Sequence, residues 1–447
     1  MVPVAETETP QRVVIVGSGF AGFTCAAKLC RRLAKAGRDI EVVLVTPDDY
    51  MLYTPLLPDV AGGLIDPRFV VISLADALPR VRLVVGKAES VDLQRKSITV
   101  RSEYYPAREL SWDRLVLTPG SATRLFDVPG LAEHGRGLKT IAEALYLREQ
   151  LLRQLELADH EDDPELRRAR RTVVVVGASY AGTELIAQLR ALADAYAHRR
   201  GVDPAEVRFV LLDMADRVMP EVGERLGDKV LSVLRGRGID IRLQTSLREL
   251  SDGHVVLTDD SVIPTHTVAW VTGVTGAPLL STLDLPLERG RLAVDAQLGV
   301  PGHPDVFAGG DAAAVPDLTK PGKITPPTAQ HATRQGKTLA RNVAASLGIG
   351  TAGPYKHRDM GLVVDLGPGF AVANPMGIHL SGRLAKVVTR VYHIYAVPRA
   401  VNRWAISLAY ATNAVTPRAL ALLGLVSPEE ASFSGSEGIP SKHPASK

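Results

Sequence analysis

Short, almost purely apolar runs rich in β-branched residues punctuate this chain. RVVIV at 12–16, EVVLV at 41–45, TVVVV at 172–176 and RFVLL at 208–212 show no polar alternation. Each predicts a strand buried on both faces, as in a parallel sheet. GSGFAG at 17–22 follows the first run, and a helical stretch to about residue 36 leads to the second. GASYAG at 177–182 follows the third run, and a helical stretch to about residue 199 leads to the fourth. Strand, glycine turn, helix and strand form one βαβ unit. Its recurrence predicts two Rossmann-like folds in one chain.

The rest of the pattern is less regular. Runs at 239–243, 254–257 and 267–272 predict turn-linked strands, and VFAGGDAAAV at 306–315 predicts a strand ending in a glycine turn. Residues 153–171 are densely charged and read as a solvated helix and linker. A C-terminal region begins near residue 354. The fold class expected is α/β, with two Rossmann-like dinucleotide-binding domains and a C-terminal helical or α+β region. The expected boundaries are 12–125 with 280–350 for the first dinucleotide domain and 126–279 for the second. Residues 351–426 are expected to bind a membrane or form a dimer, with loose ends at 1–11 and 427–447.

The glycine loops carry the first chemistry. In GSGFAG, Gly17 permits the tight turn, Gly19 lets a pyrophosphate approach the backbone, and Gly22 lets helix and strand pack closely. The helix N-terminus then offers free N–H groups to phosphate. In GASYAG, Gly177 and Gly182 keep their places, but Ser179 replaces the middle glycine. A serine narrows the gap and can also donate a hydrogen bond. Asp213 ends the following run. A carboxylate there can accept from a ribose 2′-OH and repels a 2′-phosphate, favouring NADH over NADPH; otherwise it is a plain strand-terminal turn residue. Thr46 holds the corresponding place in the first unit, where it can contact a ribose weakly.

Length and charge narrow the picture. A chain of 447 residues exceeds one ordinary core, so two or three domains are expected. A net charge of +3 gives no nucleic-acid signature. Two cysteines, Cys25 and Cys30, rule out a disulfide framework and suggest a reducing compartment. They are five residues apart on the first predicted helix, pointing away from each other, so small core residues are the preferred reading. No metal-ligand spacing of His and Cys occurs. The start of the chain lacks the basic and apolar regions of a signal peptide, and no apolar run is long enough for a bilayer. A soluble or peripheral protein is expected.

Taken in order, the segments RVVIVGSGFAGFTCAAKL, VTPDDYMLYTPLLPDVAGG, RLVLTPGSATRLFDVPGLAEHGRGLKT, VVVVGASYAGTELIAQL, VAWVTGV, VFAGGDAAAV and TPPTAQHATRQGKTLARNV resemble the type II NADH dehydrogenases. These are single-chain NADH:quinone oxidoreductases that do not pump protons. The resemblance spans most of residues 11–343 and implies bound FAD, NADH as hydride donor and a membrane quinone as acceptor. It implies that Gly17, Gly19 and Gly22 hold the FAD pyrophosphate and that Asp311 bonds the flavin's ribityl chain or phosphate. By residue type alone, Asp311 also suits a helix N-cap. Gly177 and Gly182 would hold NADH. The further cofactor contacts expected are Phe20, Ala21, Thr46, Thr54, Pro55, Gly120, Ser179, Tyr180, Ala181, Gly273 and Gly310. Glu184 resembles the family's glutamate near the nicotinamide; its plain alternative is a first-turn acid answering the helix dipole. Ala329 and Gln330 match the pair at the flavin's quinone side. The family's second glutamine, four residues on, is Arg334 here, and Gln335 follows it. His331 reads as a satisfied structural histidine.

The cysteine pair that many relatives carry after the second strand is missing from YMLYTPLLPDVAGG, which disfavours disulfide chemistry. Residues 366–428 hold no acid and six bases: Arg383, Lys386, Arg390, Arg399, Arg403 and Arg418. Leu384, Val387, Val388, Val391, Tyr392 and Tyr395 share one helical face, as do Val401, Trp404, Ala405 and Leu408. Such basic amphipathic helices can rest on an anionic membrane surface, placing the protein on the cytoplasmic side of the cell membrane; packing on the chain's own sheet or in a homodimer is the alternative. Two competing functions stay open: a soluble NADH:acceptor reductase using another carrier, which Arg334 motivates, and a non-catalytic NADH sensor, which Ser179 motivates.

Overall fold

The computed structural model describes residues 11–357 and 360–439. The chain divides into two compact units. One comprises Met1–Leu52, Ile72–Ala122 and Val274–Arg358, the other Tyr53–Val71, Thr123–Gly273 and Asp359–Lys447. Five helices carry the residues of interest: α1 (Phe20–Lys35), α2 (Tyr180–Arg200), α3 (Ala329–Ser346), α4 (Arg383–Ala396) and α5 (Ala400–Asn413).

The first unit is built on a six-stranded sheet in the order Gly299–Val300, His303–Ala308, Arg114–Leu117, Arg12–Val16, Glu41–Thr46, Arg82–Val85. All neighbours pair in parallel except the first two strands. Val13, Val14 and Ile15 are fully buried at its centre. Each such side chain contributes about 1.5–3 kcal/mol on leaving water, which is why an unalternated run sits here. Arg12 and Glu41 stand opposite in the register and form an ion pair, with Arg82 on the same carboxylate.

The second unit contains a four-stranded parallel sheet in the order Ile239–Leu243, Arg208–Asp213, Thr172–Val176, Thr267–Trp270. One face packs with the antiparallel strands Leu247–Ser251, His254–Leu257 and Val262–Pro264 around Trp270. The α/β class with two parallel-sheet folds is therefore what the chain adopts.

The boundaries differ from expectation in four places. Tyr53–Val71 clusters with the second unit, because the Tyr53 hydroxyl bonds His393 at 3.2 Å and Asp59 accepts from Gln188 at 2.7 Å. Residues 351–426 are no separate region, since the chain from Asp359 onward belongs to the second unit. Residues 153–171 are not a solvated linker. They complete the helix Ile141–Asp159, which buries Leu151, Leu152, Leu155 and Ala158, and continue into Pro164–Arg170. Their charges are spent locally, Arg171 on Asp159 and Arg170 on Glu161. Finally, residues 427–439 are ordered. Phe433, 1% exposed, enters the Trp270 cluster, and Glu437 accepts from the Thr123 N–H at 2.6 Å. Positions 440–447, like 1–10, lie outside the described residues.

Strands Val363–Asp365, Ala371–Ala373 and Leu380–Gly382 form an antiparallel sheet, on which α4 packs through Ala385 and Val388. Leu384, Val387, Val391 and Tyr395 stay exposed on α4, as do Val401, Trp404 and Leu408 on α5. The predicted apolar faces thus split: Val388 serves the sheet, Tyr392 and Ala405 are half-buried, and the others face outward. No described helix is long and apolar enough to cross a membrane.

Candidate functional site

The two glycine loops are near-copies in backbone geometry. Gly17 has φ +94° and donates its N–H to the Val45 carbonyl at 2.8 Å. Gly177 has φ +110° and donates to Leu212 at 2.8 Å. A methyl on Gly17 would stand 2.2 Å from the Thr118 carbonyl oxygen, and one on Gly22 or Gly182 would stand 1.9 Å from the oxygen of Gly17 or Gly177. No side chain fits at these positions. Gly19 is different. Its φ is −62°, open to any residue, and a methyl there would meet nothing within 4 Å. Its lack of a side chain serves no packing need of the fold; it keeps clear the space over the N-terminus of α1, where no side chain caps the first N–H groups. Ser179 repeats that conformation at φ −79°, so the serine costs the backbone nothing and changes only the space above the loop. Phe20 and Ala21 open α1, and Tyr180 and Ala181 open α2.

Three further pieces of the first unit meet this loop. Gly310, φ +71°, lies so close that a methyl on it would reach 3.0 Å from the Ala21 Cβ. Gly336 of α3 packs against the Ala21 carbonyl. Gln335, 1% exposed, ties the pieces together by accepting from the Gly310 N–H at 2.7 Å and donating to Thr325 Oγ1 at 3.1 Å. Asp311 accepts from the Ser121 hydroxyl at 2.9 Å, and its carbonyl accepts from Arg291 at 3.1 Å. It is not an N-cap: it lies inside the turn Gly310–Ala312, whose cap is Gly309. Gly120, φ +79°, is open, and its carbonyl accepts from Ala277. A clear space above a helix N-terminus, with a half-buried carboxylate on a neighbouring turn, fits the pyrophosphate and hydroxyl groups of a dinucleotide.

Thr46 takes a different role from the one expected. It is 1% exposed, and its hydroxyl donates to Ser18 Oγ at 2.8 Å, while Ser18 donates to the Tyr50 carbonyl. It fixes the loop from beneath and presents nothing to a ribose. Thr54 and Pro55 form the short turn Thr54–Leu56 in the second unit.

In the second unit, Asp213 latches the glycine loop. Its carboxylate accepts from the Ala178 N–H at 2.5 Å and from the Ala215 N–H at 2.7 Å. Gly273, φ +56°, is open, and its carbonyl accepts from Arg124.

Glu184 lies beyond the first turn, because α2 begins at Tyr180, so the helix-dipole reading falls. Its carboxylate is buried and accepts from the Asp365 N–H at 2.7 Å. The Asp365 side chain is chelated by Lys386, whose Nζ also donates to the Gly367 carbonyl at 2.9 Å. Gln188 donates to Asp59 at 2.7 Å, and Tyr410 donates to the other Asp59 oxygen at 3.0 Å. Arg418 donates to the carbonyls of Gly62 and Gln188. Lys386 and Arg418 thus turn inward and leave the basic surface predicted for this region. Burial raises the Glu184 pKa well above the carboxylate range and, with the charge of Asp365, pushes Asp59 up to about 6. Burial pushes His393 down to about 4.

Sequence reading did not find Asp59, Asp365 or Lys386. The available signal was Asp365, the last acid before an acid-free stretch that still contains a lysine in an apolar helix.

On α3, Thr328 caps the helix by accepting from the His331 N–H at 3.3 Å. His331 bonds Tyr355 at 2.8 Å. Arg334 donates to Gln330 Oε1 at 3.3 Å, one turn away, while Ala329 opens the helix. Gln335 points into the core and does not stand in for the second glutamine.

Residues 11–336 match the family model described as pyridine nucleotide-disulphide oxidoreductase. The type II NADH:quinone oxidoreductase Ndh of Mycobacterium tuberculosis is 30% identical over 88% of this chain and 85% of its own length. The demethylphylloquinone reductase NdbB of Synechocystis is 29% identical over 91% and 97%. Among solved structures, NDH2 from Plasmodium falciparum in complex with NADH superposes with a TM-score of 0.84 over 92% of this chain and all of that one, at 16% identity. The sulfide:quinone oxidoreductase of Aquifex aeolicus gives 0.67 at 17% identity, a likeness of fold. With its loops, sheet orders and near full-length match, the chain belongs to the type II NADH:quinone oxidoreductases, within the pyridine nucleotide-disulphide oxidoreductase family.

Proposed function

We infer that this chain is an NADH:quinone oxidoreductase that takes a hydride from NADH onto a flavin and passes two electrons to a quinone without pumping protons. The observation that carries this reading is the pair of glycine loops of like backbone geometry, each ending a buried strand and opening a helix whose N-cap residue, Gly19 or Ser179, makes no side-chain cap bond. We propose FAD as the flavin, because the space over Gly19 and the α1 N-terminus suits a pyrophosphate. Bound isoalloxazine supplies the two-electron chemistry.

The chain's own residues bind, orient and tune. Gly17, Gly19, Phe20, Ala21 and Gly22 would hold the FAD pyrophosphate, with Asp311 and Gly310 beside it and Gly120 as a further contact. Gly177, Ser179, Tyr180, Ala181, Gly182 and Gly273 would hold NADH. Each Asp213 oxygen has a second lone pair for a ribose hydroxyl, and its charge repels a 2′-phosphate, so NADH is preferred. Glu184, whose pKa burial raises well above the ordinary carboxylate value, would stand near the nicotinamide. Ala329 and Gln330 would meet the quinone side, where the N–H groups opening α3 favour negative charge. Arg334 donates to the Gln330 side-chain carbonyl and so helps to fix that side chain.

The quinone lives in the membrane, and α4 and α5 supply a surface for it. Tyr395 and Trp404 are 76% and 75% exposed, with Leu384, Val387, Val391, Val401 and Leu408 beside them and Arg383, Arg399 and Arg403 on the same two helices. We propose that this face rests on the cytoplasmic surface of the cell membrane. A homodimer through the same face is the competing arrangement, and vesicle flotation against sedimentation decides between them.

The test of function is anaerobic stopped-flow absorbance of the purified protein with NADH and NADPH, then reoxidation with menaquinone and ubiquinone analogues. NADH should bleach the flavin faster than NADPH, and at least one analogue should restore it. A colourless protein that cannot be reconstituted with FAD would sink the reading. Reduction without reoxidation by any quinone would transfer it to a soluble acceptor.

A further inference from the structure

Six arginines line one cleft of about 830 Å³ in the second unit: Arg167, Arg168, Arg171, Arg190, Arg208 and Arg237. The cleft lies at the wrong end of the sheet for the nucleotide. Arg171 directly precedes the strand Thr172–Val176, Arg208 opens Arg208–Asp213, and Gly238 precedes Ile239–Leu243. The glycine loop and Asp213 lie at the opposite ends of these strands. Five extended residues separate the two ends by about 16 Å. Open parallel sheets bind their nucleotides at the carboxyl ends of the strands, so the redox reading leaves this cleft unused.

The arginines fall into three kinds. Arg171 and Arg190 are buried and form the wall, held by Asp159 and Glu206 and by Asp194 and the Val207 carbonyl respectively. Arg168 and Arg208 pair with Glu165 and Asp240, carboxylates that are themselves solvent-exposed. Such pairs contribute little and yield readily to a competing anion. Arg167 and Arg237 donate to main-chain carbonyls, of Glu161 at 2.9 Å and of Pro368 at 2.8 Å, and neither forms a salt bridge among the described residues, although Asp365 and Asp194 lie within electrostatic reach of Arg237. Arg237 is partly buried, and its lost hydration lowers its pKa. A bound anion returns what that burial removed.

We propose that this cleft is a binding site for an oligophosphate anion, either inorganic or the phosphate tail of a nucleotide. Guanidinium forks match phosphate oxygens two at a time. Charge on successive tetrahedral centres can meet arginines from several separate segments, as one carboxylate cannot. The site stands independently of the redox reading.

Calorimetric titration of the full-length holoenzyme with sodium tripolyphosphate and with ATP, in saturating NAD⁺ and without divalent metal, tests it. One saturable site per chain is expected, weakening as salt rises. Arg168→Glu should weaken binding at least tenfold while NADH oxidation keeps its rate, and the exposure of that side chain makes misfolding a poor explanation. Equal affinity for the two ligands assigns the site to bare oligophosphate and tighter ATP binding assigns it to a nucleotide; both support the site. Absence of saturable binding, displacement by NAD⁺, or indifference to the charge reversal would overturn it.

Discussion

Lys386→Met probes the buried ion pair of the second unit directly. Lysine and methionine share most of their stem, so the change removes the charge at little cost in packing. Both Lys386 and Asp365 are buried, at 7% exposure each, and the ammonium carries both Asp365 oxygens and the Gly367 carbonyl. Breaking one side of a buried pair costs about 3–5 kcal/mol. Arg237 and Arg418 also lie within electrostatic reach of Asp365, which places the expectation near the lower end, about 3 kcal/mol or two decades in the opening equilibrium. Hydrogen exchange of the strands Val363–Asp365 and Ala371–Ala373 reads this locally, without assuming that the whole chain unfolds in one step. Adding Asp365→Asn keeps the acceptor for the Gly367 N–H, removes the charge, and should recover most of the loss. A loss below about 1 kcal/mol, or no recovery on adding Asp365→Asn, would refute the argument.

Four other outcomes can be checked. Gly19→Val should leave the melting temperature of the flavin-free protein within a few degrees while weakening flavin binding at least tenfold, whereas Gly22→Ala should prevent a stable fold; flavin fluorescence and thermal melts separate the two. Glu143 is pushed up to about 7 by burial and by Glu437. Its stabilising share is complete below the ordinary value of 4.5 and disappears as pH rises through 7, so the melting temperature should fall between pH 5 and 8, and Glu437→Gln should flatten that fall. Asp213→Asn should cut the preference for NADH over NADPH, read as the ratio of flavin reduction rates. Gln330→Leu should slow reoxidation by quinone more than reduction by NADH, and equal slowing of both half-reactions would remove it from the quinone side.

What the sequence reveals follows from how each feature is encoded. The strands at 12–16 and 172–176 are legible to the residue because a strand buried on both faces tolerates only apolar side chains. The glycine loops are legible because backbone collisions leave no alternative at Gly17 and Gly22. Lys386 is misread because helical periodicity separates faces by polarity, and a lysine paired with an acid 21 residues away occupies a buried face while looking like a surface residue. Thr46 is misread because a strand-end hydroxyl suits a ribose or a neighbouring serine equally well by type, and only the position of Ser18 decides. Residues 427–439 have a loose composition, yet one aromatic side chain, Phe433, and one carboxylate, Glu437, are enough to fix them.

The placement of Lys386 has a mechanical consequence. It leaves α4 on the side opposite Val387 and Val391, grips Asp365, and Asp365 in turn holds Glu184 through its own amide. Two contacts therefore connect a helix with a bare apolar flank to the carboxyl group beside the second glycine loop. A tilt of α4 would pull on the Lys386–Asp365 pair and, through the Asp365 amide, on Glu184. In this fold, the outer helix and the acid share one line of contacts.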